Sequence, residues 1–159
     1  MNDKPKLIAH SSLGTELSDE EVTILGDLMT ERTLAENEFL FEDGTTDDAL
    51  HVILFGKVEV VKRTGDDDFA SLAVLRDGEL AGELSFIDGA THTVGLRALC
   101  ETRTLSLSRA SFEGIIDSNP RLVYKVMRAV ARSAHRIMHR MNTEFVELSN
   151  YIFKQHGRY

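Results

Sequence analysis

The residues best suited to chemistry lie between Gly78 and Leu99, in the segment GELAGELSFIDGATHTVGLRAL. Gly82 lets the backbone come close to a ligand, and Glu83 follows it at the predicted start of a short helical turn. The first N–H groups of such a turn have no partner within the helix, so they point outward as donors for an anion. Glu83 could accept hydrogen bonds from sugar hydroxyls. The segment therefore predicts a pocket for a small phosphorylated ligand.

Short apolar runs between Phe39 and Ser108 must position this turn. They are broken by Gly and Asp, and Leu105 and Leu107 alternate with polar neighbours, as in a half-buried strand. Many short strands at this spacing are typical of the jelly-roll class. The predicted fold class is mostly β with flanking helices, an antiparallel jelly-roll β-barrel plus a long C-terminal α-helix.

Helices are predicted on both sides of these strands. Ser18 followed by Glu21 forms a capping box, which predicts a helix to about Thr30. Asn119–Pro120 combines an N-cap with proline at the first helical position. Because nothing breaks a helix from there to about Lys154, a long C-terminal helix is expected.

Length and composition agree with one compact domain. The 159 residues are 42% hydrophobic and 28% charged, which suffices for a core without a disulfide or metal. A single cysteine, Cys100, cannot form an internal disulfide and fits a reducing cytoplasm. No secretion signal is evident, and no run approaches the roughly 18 apolar residues of a membrane span. We expect one cytoplasmic domain over 1–159, with an N-terminal helix and β-roll at 13–120 and a dimerisation helix at 120–154.

The predicted C-terminal helix carries an apolar seam with spacings of four and three, the pattern of a two-helix coiled coil. The seam residues are Val123, Met127, Val130, Ala134, Ile137 and Met141. They predict a homodimer, and the alternative is a helix packed on its own barrel with a solvated outer face. Beyond Met141 the seam is expected to drift, with Phe145 and Leu148 taking over.

Charge is distributed unevenly along the chain. Residues 1–120 carry 10 Lys/Arg against 24 Asp/Glu, a net charge of −14, and residues 121–159 carry 8 against 2, a net charge of +6. An acidic body disfavours nucleic acid and anionic membranes, so neither DNA nor a membrane is expected as a partner. The basic helix face around Arg128 and Arg132 is the alternative surface for nucleic acid, but no aromatic residues interleave with it.

The sequence contains little that indicates a metal site or a catalytic site. His135 and His139 have the i, i+4 spacing of a metal site, but neighbouring cations oppose a metal there. The acidic residues at 42–48 miss the spacing of a calcium-binding loop. The sequence contains no nucleophile-elbow, zinc-protease or phosphate-loop motif, so no enzyme and no metal are predicted. Glu83 and His92 are expected to be pocket walls and not an acid–base pair.

The segment from Gly78 resembles the phosphate-binding cassette of cyclic-nucleotide-binding domains, the family of catabolite activator proteins, kinase regulatory subunits and nucleotide-gated channels. The order of elements is similar from Leu13 to about Met141. Matching segments are EFLFEDG at Glu38–Gly44, LHVILFGKVEVVKR at Leu50–Arg63 and SRASFEGIIDSNP at Ser108–Pro120. The resemblance implies a non-enzymatic regulatory module, with a cyclic nucleotide or related small phosphorylated compound as candidate ligand.

The cassette departs from the family pattern where the phosphate is held. Relatives that bind cyclic nucleotides usually read P-R-A-A or P-R-S/T-A after the G-E-L turn, with the arginine clamping the phosphate. Without gaps, the arginine position here is His92, between Thr91 and Thr93. Because a charged hydrogen bond is worth about 1.5–3 kcal/mol, its loss predicts a ligand other than cAMP, or weaker binding. The resemblance implies these ligand-binding residues: Gly82, Glu83, Leu84, Ser85, His92 and Thr93.

Two functions follow from these observations. In the first, a dimeric sensor relays the occupancy of its pocket to a separate, unidentified protein partner. In the second, the domain is a degenerate scaffold or interaction module that binds no ligand. Transcription factors of this family continue past the long helix into a helix-turn-helix, and no such segment precedes Tyr159, so no DNA recognition helix is expected.

Overall fold

The computed structural model describes residues 3–156; within the last helix, the side chains at 141, 144–146, 148–149, 151 and 153–156 are not described. The chain begins with helices, continues through the strands of a β-roll and ends with a long helix. The helices are α1 (Lys4–Ala9), α2 (Asp19–Leu28), α3 (Glu83–Asp88), α4 (Arg109–Glu113) and α5 (Pro120–His156). The strands are β1 (Thr30–Leu34), β2 (Phe39–Phe41), β3 (Ala49–Phe55), β4 (Val58–Arg63), β5 (Phe69–Leu75), β6 (Leu80–Ala81), β7 (Gly95–Ala98) and β8 (Thr102–Ser108).

The strands form two antiparallel four-stranded sheets, in the orders β1-β8-β3-β6 and β2-β7-β4-β5. Neighbours in the sheets are distant in sequence, as in a jelly roll: Val52 pairs with Leu105 across β3 and β8, and Val60 pairs with Leu96 across β4 and β7. The predicted fold class, mostly β with flanking helices and a long C-terminal helix, is confirmed.

Strand β3 is apolar on both faces because it lies between two apolar layers. Leu50 and Val52 face a layer shared with the helices, which we call the helical layer. Ile53 faces a second layer between the two sheets, which we call the roll interior. Since consecutive strand residues point to opposite faces, a strand covered on both sides reads as a continuous apolar run.

Helix α2 begins as the sequence predicts. The Glu21 backbone N–H donates to Ser18 Oγ at 3.2 Å, and the Ser18 N–H donates to Glu21 Oε1 at 2.9 Å, which completes the capping box. The helix ends at Leu28, and Thr30 already belongs to β1. Strand β1 escaped prediction because all but the last of its residues are exposed, so its sequence shows no apolar alternation.

The basic residues of α5 are ion-paired with the acidic body. Lys125 Nζ lies 2.6 Å from Glu21 Oε1, and both Arg128 and Arg132 reach Glu16, with nitrogen–oxygen distances of 3.4 and 3.0 Å. The opposite charges of the two parts of the chain therefore meet within the fold. This pairing uses part of the basic surface that the nucleic-acid alternative requires.

Helix α5 carries two apolar stripes, and the predicted seam mixes them. Val130 is fully buried in the helical layer, and Val123 and Met127 pack against that layer. Ile137 packs against the roll interior. Val130 belongs to the seam expected from the sequence, but a residue that is fully buried within its own chain is not available to a second molecule. Met141 lies outside the described side chains.

The second stripe faces outward. Tyr124 and Met138 are 60% and 57% exposed, and Ala131, midway between them, is exposed as well. With the half-buried Met127 and Ala134 they form a stripe with intervals of three and four, which we call the outer stripe. The sequence continues this register without drift through Met141, Phe145 and Leu148. No helix in the described part of the chain is both long and apolar enough to cross a membrane.

Candidate functional site

A cavity of about 420 Å³ lies between the roll interior and α5. The roll contributes the apolar residues Phe41, Val60, Leu75, Ala81, Val94 and Leu96. The long helix contributes Ala134, Ile137, Met138 and Asn142. The remaining lining residues, Gly82, Glu83, Leu84 and Thr93, come from the predicted ligand-binding segment. The cavity has the size and apolar lining of a small-molecule site.

The turn that opens α3 requires glycine. Gly82 has a φ angle of +81°, in the left-handed region that other residues rarely adopt. A side chain there would also meet the Ala49 carbonyl oxygen at 2.8 Å and His51 Cδ2 at 3.2 Å. The next residues form a helix, as predicted. Leu84 is 69% exposed at the cavity, whereas Ser85 is buried and its Oγ accepts from the Asp48 N–H at 3.3 Å.

Glu83 is the ionisable residue that lines the cavity. Its Oε1 accepts a hydrogen bond from the Ser133 hydroxyl of α5 at 3.0 Å. Burial raises the pKa of the Glu83 carboxyl, although its own backbone N–H, Ser133 and the charge of His51 act in the opposite direction. This carboxyl therefore joins the predicted binding turn to the long helix.

His92, in the position of the phosphate clamp, lies outside the cavity lining. Its ring stacks on Phe41, with centroids 3.6 Å apart and an interplanar angle of 9°. Its Nε2 donates to Asp47 Oδ1 at 3.0 Å, and its side chain is only 5% exposed. The sequence analysis expects His92 at the ligand, whereas in the structure the Asp47 carboxylate and the Phe41 ring hold its side chain behind the cavity wall.

Asp47 connects His92 to a second buried histidine. His51 Nε2 donates to Asp47 Oδ2 at 2.6 Å, and His51 Nδ1 lies 2.8 Å from Ser106 Oγ. Burial disfavours the Asp47 anion, but the hydrogen bonds and charges of His51 and His92 outweigh burial and lower the Asp47 pKa to about 2. Although Ser106, His51 and Asp47 follow one another as in a hydrolase triad, none of them lines the cavity.

The sequence analysis missed this network. Asp47 was considered only as part of an acidic cluster, and His51 lies within an otherwise apolar strand. A buried polar residue needs hydrogen-bond partners, so a histidine inside LHVILF was the available signal. The partners of His51 are Ser106 of β8 and Asp47, four residues earlier in the chain. Asp47 also binds His92 from the segment before β7, which only the fold brings close.

The described lining of the cavity holds no cation. Thr93 is exposed on the lining, and its carbonyl oxygen accepts from Lys62 Nζ at 2.7 Å. The described residues also hold no group of three or more His, Cys, Asp and Glu side chains arranged to bind a metal. Of the six predicted ligand-binding residues, the structure places Gly82, Glu83, Leu84 and Thr93 on the cavity.

Known proteins share this architecture. A CRP-like cAMP-activated global transcriptional regulator of Mycobacterium tuberculosis is 28% identical over 97 residues, which cover 61% of this chain and 43% of the regulator. The chain thus spans less than half of that relative. A cyclic nucleotide-binding domain from Methylobacillus flagellatus has the same fold, with a TM-score of 0.80 at 23% identity, covering 91% of this chain and 82% of that one.

A third match is again to a solved structure and concerns the fold. The regulatory subunit of a cAMP-independent protein kinase A from Trypanosoma cruzi, bound to guanosine, has a TM-score of 0.67 at 22% identity. The match covers 82% of this chain and 44% of that one. The model of the cyclic nucleotide-binding domain family matches residues 31–119, more than half of the chain. The protein therefore belongs to the cyclic nucleotide-binding domain family.

Proposed function

We propose that this chain is a dimeric, non-enzymatic regulatory module that binds a small molecule and relays its occupancy to a separate protein partner. The observation that carries the proposal is the cavity of about 420 Å³, whose lining includes four residues of the predicted ligand-binding segment and residues of α5. The cytoplasm is the proposed location, with neither DNA nor a membrane as partner.

The outer stripe of α5 is the proposed dimer surface. Tyr124, Ala131 and Met138 expose apolar atoms at seven-residue intervals. On the other stripe Val130 is buried, and Val123 and Ile137 pack against the body of the domain. Two such helices can pack these residues as a coiled coil, because the intervals of three and four keep them on one side. A second copy of the chain is the occupant that this repeating register favours.

The same helix supplies a route for the relay. Ala134 and Met138 line the cavity and also belong to the outer stripe. The Ser133 hydroxyl donates to Glu83 from the same turn of α5. If α5 can adopt two positions, a ligand that contacts these residues and binds one position more tightly shifts the helix toward it. The dimer surface on the same helix then moves with it.

The candidate ligands are cyclic nucleotides and related compounds. The M. tuberculosis relative is named as cAMP-activated, and the T. cruzi regulatory subunit holds guanosine, so proteins of this fold are described with and without a phosphate on the ligand. The proposed pocket is non-standard because His92 replaces the clamp arginine and is itself bound by Asp47. No cofactor is proposed beyond this ligand.

Thermal unfolding in the presence of cAMP, cGMP, adenosine, guanosine and cyclic dinucleotides tests the proposal. Ala134→Phe fills the cavity, and Ala110→Phe makes the same change at an exposed position of α4. A ligand should raise the melting temperature of the wild type and of Ala110→Phe, but not that of Ala134→Phe. If no compound does so, the alternative of a non-binding scaffold of the same fold is favoured.

A further inference from the structure

The walls of the cavity suit the apolar faces of a ring system. The aromatic ring of Phe41 and the aliphatic side chains of Leu75, Leu96 and Ile137 line it. A volume of about 420 Å³ lies at the lower end of the range of small-molecule sites. Such a lining gains free energy by removing apolar surface from water and offers little to a hydrated ion.

Glu83 adds a hydrogen-bond acceptor to these walls. A carboxylate has about four lone-pair positions on two oxygens, and Ser133 donates to one of those oxygens. The carboxyl can therefore also accept from hydroxyl groups of a ligand. The same group repels an anion, because a phosphate offers acceptors and negative charge but no proton.

Three cationic or ionisable residues near the cavity have partners of their own, and none of the three belongs to its described lining. Lys62 of β4 binds Asp43 Oδ2 at 3.0 Å and the Thr93 carbonyl oxygen at 2.7 Å. Arg140 of α5 binds the Val74 carbonyl oxygen at 2.9 Å and Glu79 Oε1 at 2.6 Å. His92 is bound to Asp47. A phosphate in the cavity would therefore lose water without meeting a cation of the described lining, which is costly.

We infer that the cavity selects an uncharged ligand of the nucleoside class, with hydroxyl groups for Glu83 and an apolar ring system for the walls, and discriminates against the matching cyclic monophosphate. This inference rests on the proposed function and deepens it. It differs from the phosphate pocket expected from the sequence, because the position that should clamp the phosphate is turned away from the cavity.

Calorimetric titration with matched pairs tests the inference at pH 7.5. Guanosine is compared with cGMP, and adenosine with cAMP, so that the cyclic phosphate is the difference within each pair. At least one nucleoside should bind about tenfold or more tightly than its cyclic monophosphate, a difference of about 1.4 kcal/mol. Glu83→Gln removes the negative charge at nearly constant shape. It should bring the affinities for the nucleoside and for its cyclic monophosphate closer to each other. Glu101→Gln, at an exposed position, should leave their ratio unchanged.

The possible failures are distinguishable. If a cyclic monophosphate binds as tightly as its nucleoside or more tightly, the inference is overturned and the proposed function stands. If neither nucleoside binds at 1 mM, the inference is overturned, and the thermal screen with Ala134→Phe then decides separately whether the cavity binds any compound. If Glu83→Gln leaves the ratio unchanged while the wild type discriminates, the role given to this carboxyl is wrong.

Discussion

His92 lies flat against Phe41, with ring centroids 3.6 Å apart and planes within 9° of parallel. Phe41 also lines the cavity, so the residue in the clamp position supports the cavity wall from behind. Asp47 fixes the ring of His92 in this place through Nε2. His92 thus makes structural contacts at the position where the sequence analysis expects a contact with the ligand.

Removal of this ring should destabilise the fold. His92→Ala deletes a stacked ring pair and a hydrogen bond to a charged group, and we expect a loss of about 1–3 kcal/mol in the free energy of unfolding. Urea unfolding measures this loss. His10→Ala, at an exposed position, should change the free energy by less than about 0.5 kcal/mol. Equal effects of the two variants would contradict the structural role.

A cation placed on the cavity lining should create phosphate binding. Thr93 is exposed on the lining, so Thr93→Arg is expected to improve cAMP affinity by about tenfold or more, since a charged hydrogen bond contributes about 1.5–3 kcal/mol. His92→Arg should gain less, because Asp47 is placed to hold the guanidinium. Calorimetry compares both with Thr91→Arg, an exposed position outside the described lining. A larger gain from His92→Arg would show that the clamp position can still face the ligand.

The fold was predictable because its signals are local or periodic. The Ser18–Glu21 capping box, proline at position 120 and the short apolar runs each depend on neighbouring residues. The glycine turn was predictable for the same reason, since Gly82 has a conformation that few other residues adopt. The contacts between side chains that are distant in the sequence could not be predicted in this way.

The predicted dimer seam shows this limit. An amphipathic helix with two apolar stripes has more than one face with helical spacing, and the sequence does not say which face the barrel covers. Val130 and Ile137 pack inward, while Tyr124, Ala131 and Met138 remain exposed. The network of His92 is a second example, because its residues come from separate parts of the chain.

Stability should decrease in acid through Asp47. Its folded-state pKa of about 2 lies below its ordinary value of 3.8, so its contribution is present above about pH 4 and is lost as the pH falls toward 2. Urea unfolding at several pH values between 5 and 2.5 should show a smaller decrease for Asp47→Asn than for the wild type. Asp88→Asn, an exposed control, should follow the wild type. Parallel curves for all three would exclude Asp47 as a source of acid sensitivity.

The Glu83 carboxyl should lower the stability of the fold as the pH rises, which is the opposite of the effect of Asp47. Because burial raises its folded-state pKa, its effect on stability is most favourable at low pH and weakens as the pH rises through that pKa. Glu83→Gln removes this dependence, so its stability relative to the wild type should increase between pH 4 and pH 8. Chemical unfolding at both pH values measures the change. A relative stability that decreases over this interval would contradict the assigned sign.

The outer stripe predicts which substitutions separate a dimer without harming the monomer. Ala131→Asp places a charge on an exposed position of the stripe, where it should shift sedimentation from dimer toward monomer at tens of micromolar while the melting of the monomer is unchanged. His139→Asp adds the same charge to an exposed position of α5 beside the stripe and should leave the dimer intact.

Ile137→Asp should instead unfold the chain, because its side chain packs on the roll interior. A wild type that sediments as a monomer at this concentration would remove the dimer from the proposed function. If Ile137→Asp stays folded and loses the dimer while Ala131→Asp keeps it, the interface lies instead on the side of α5 that carries Ile137.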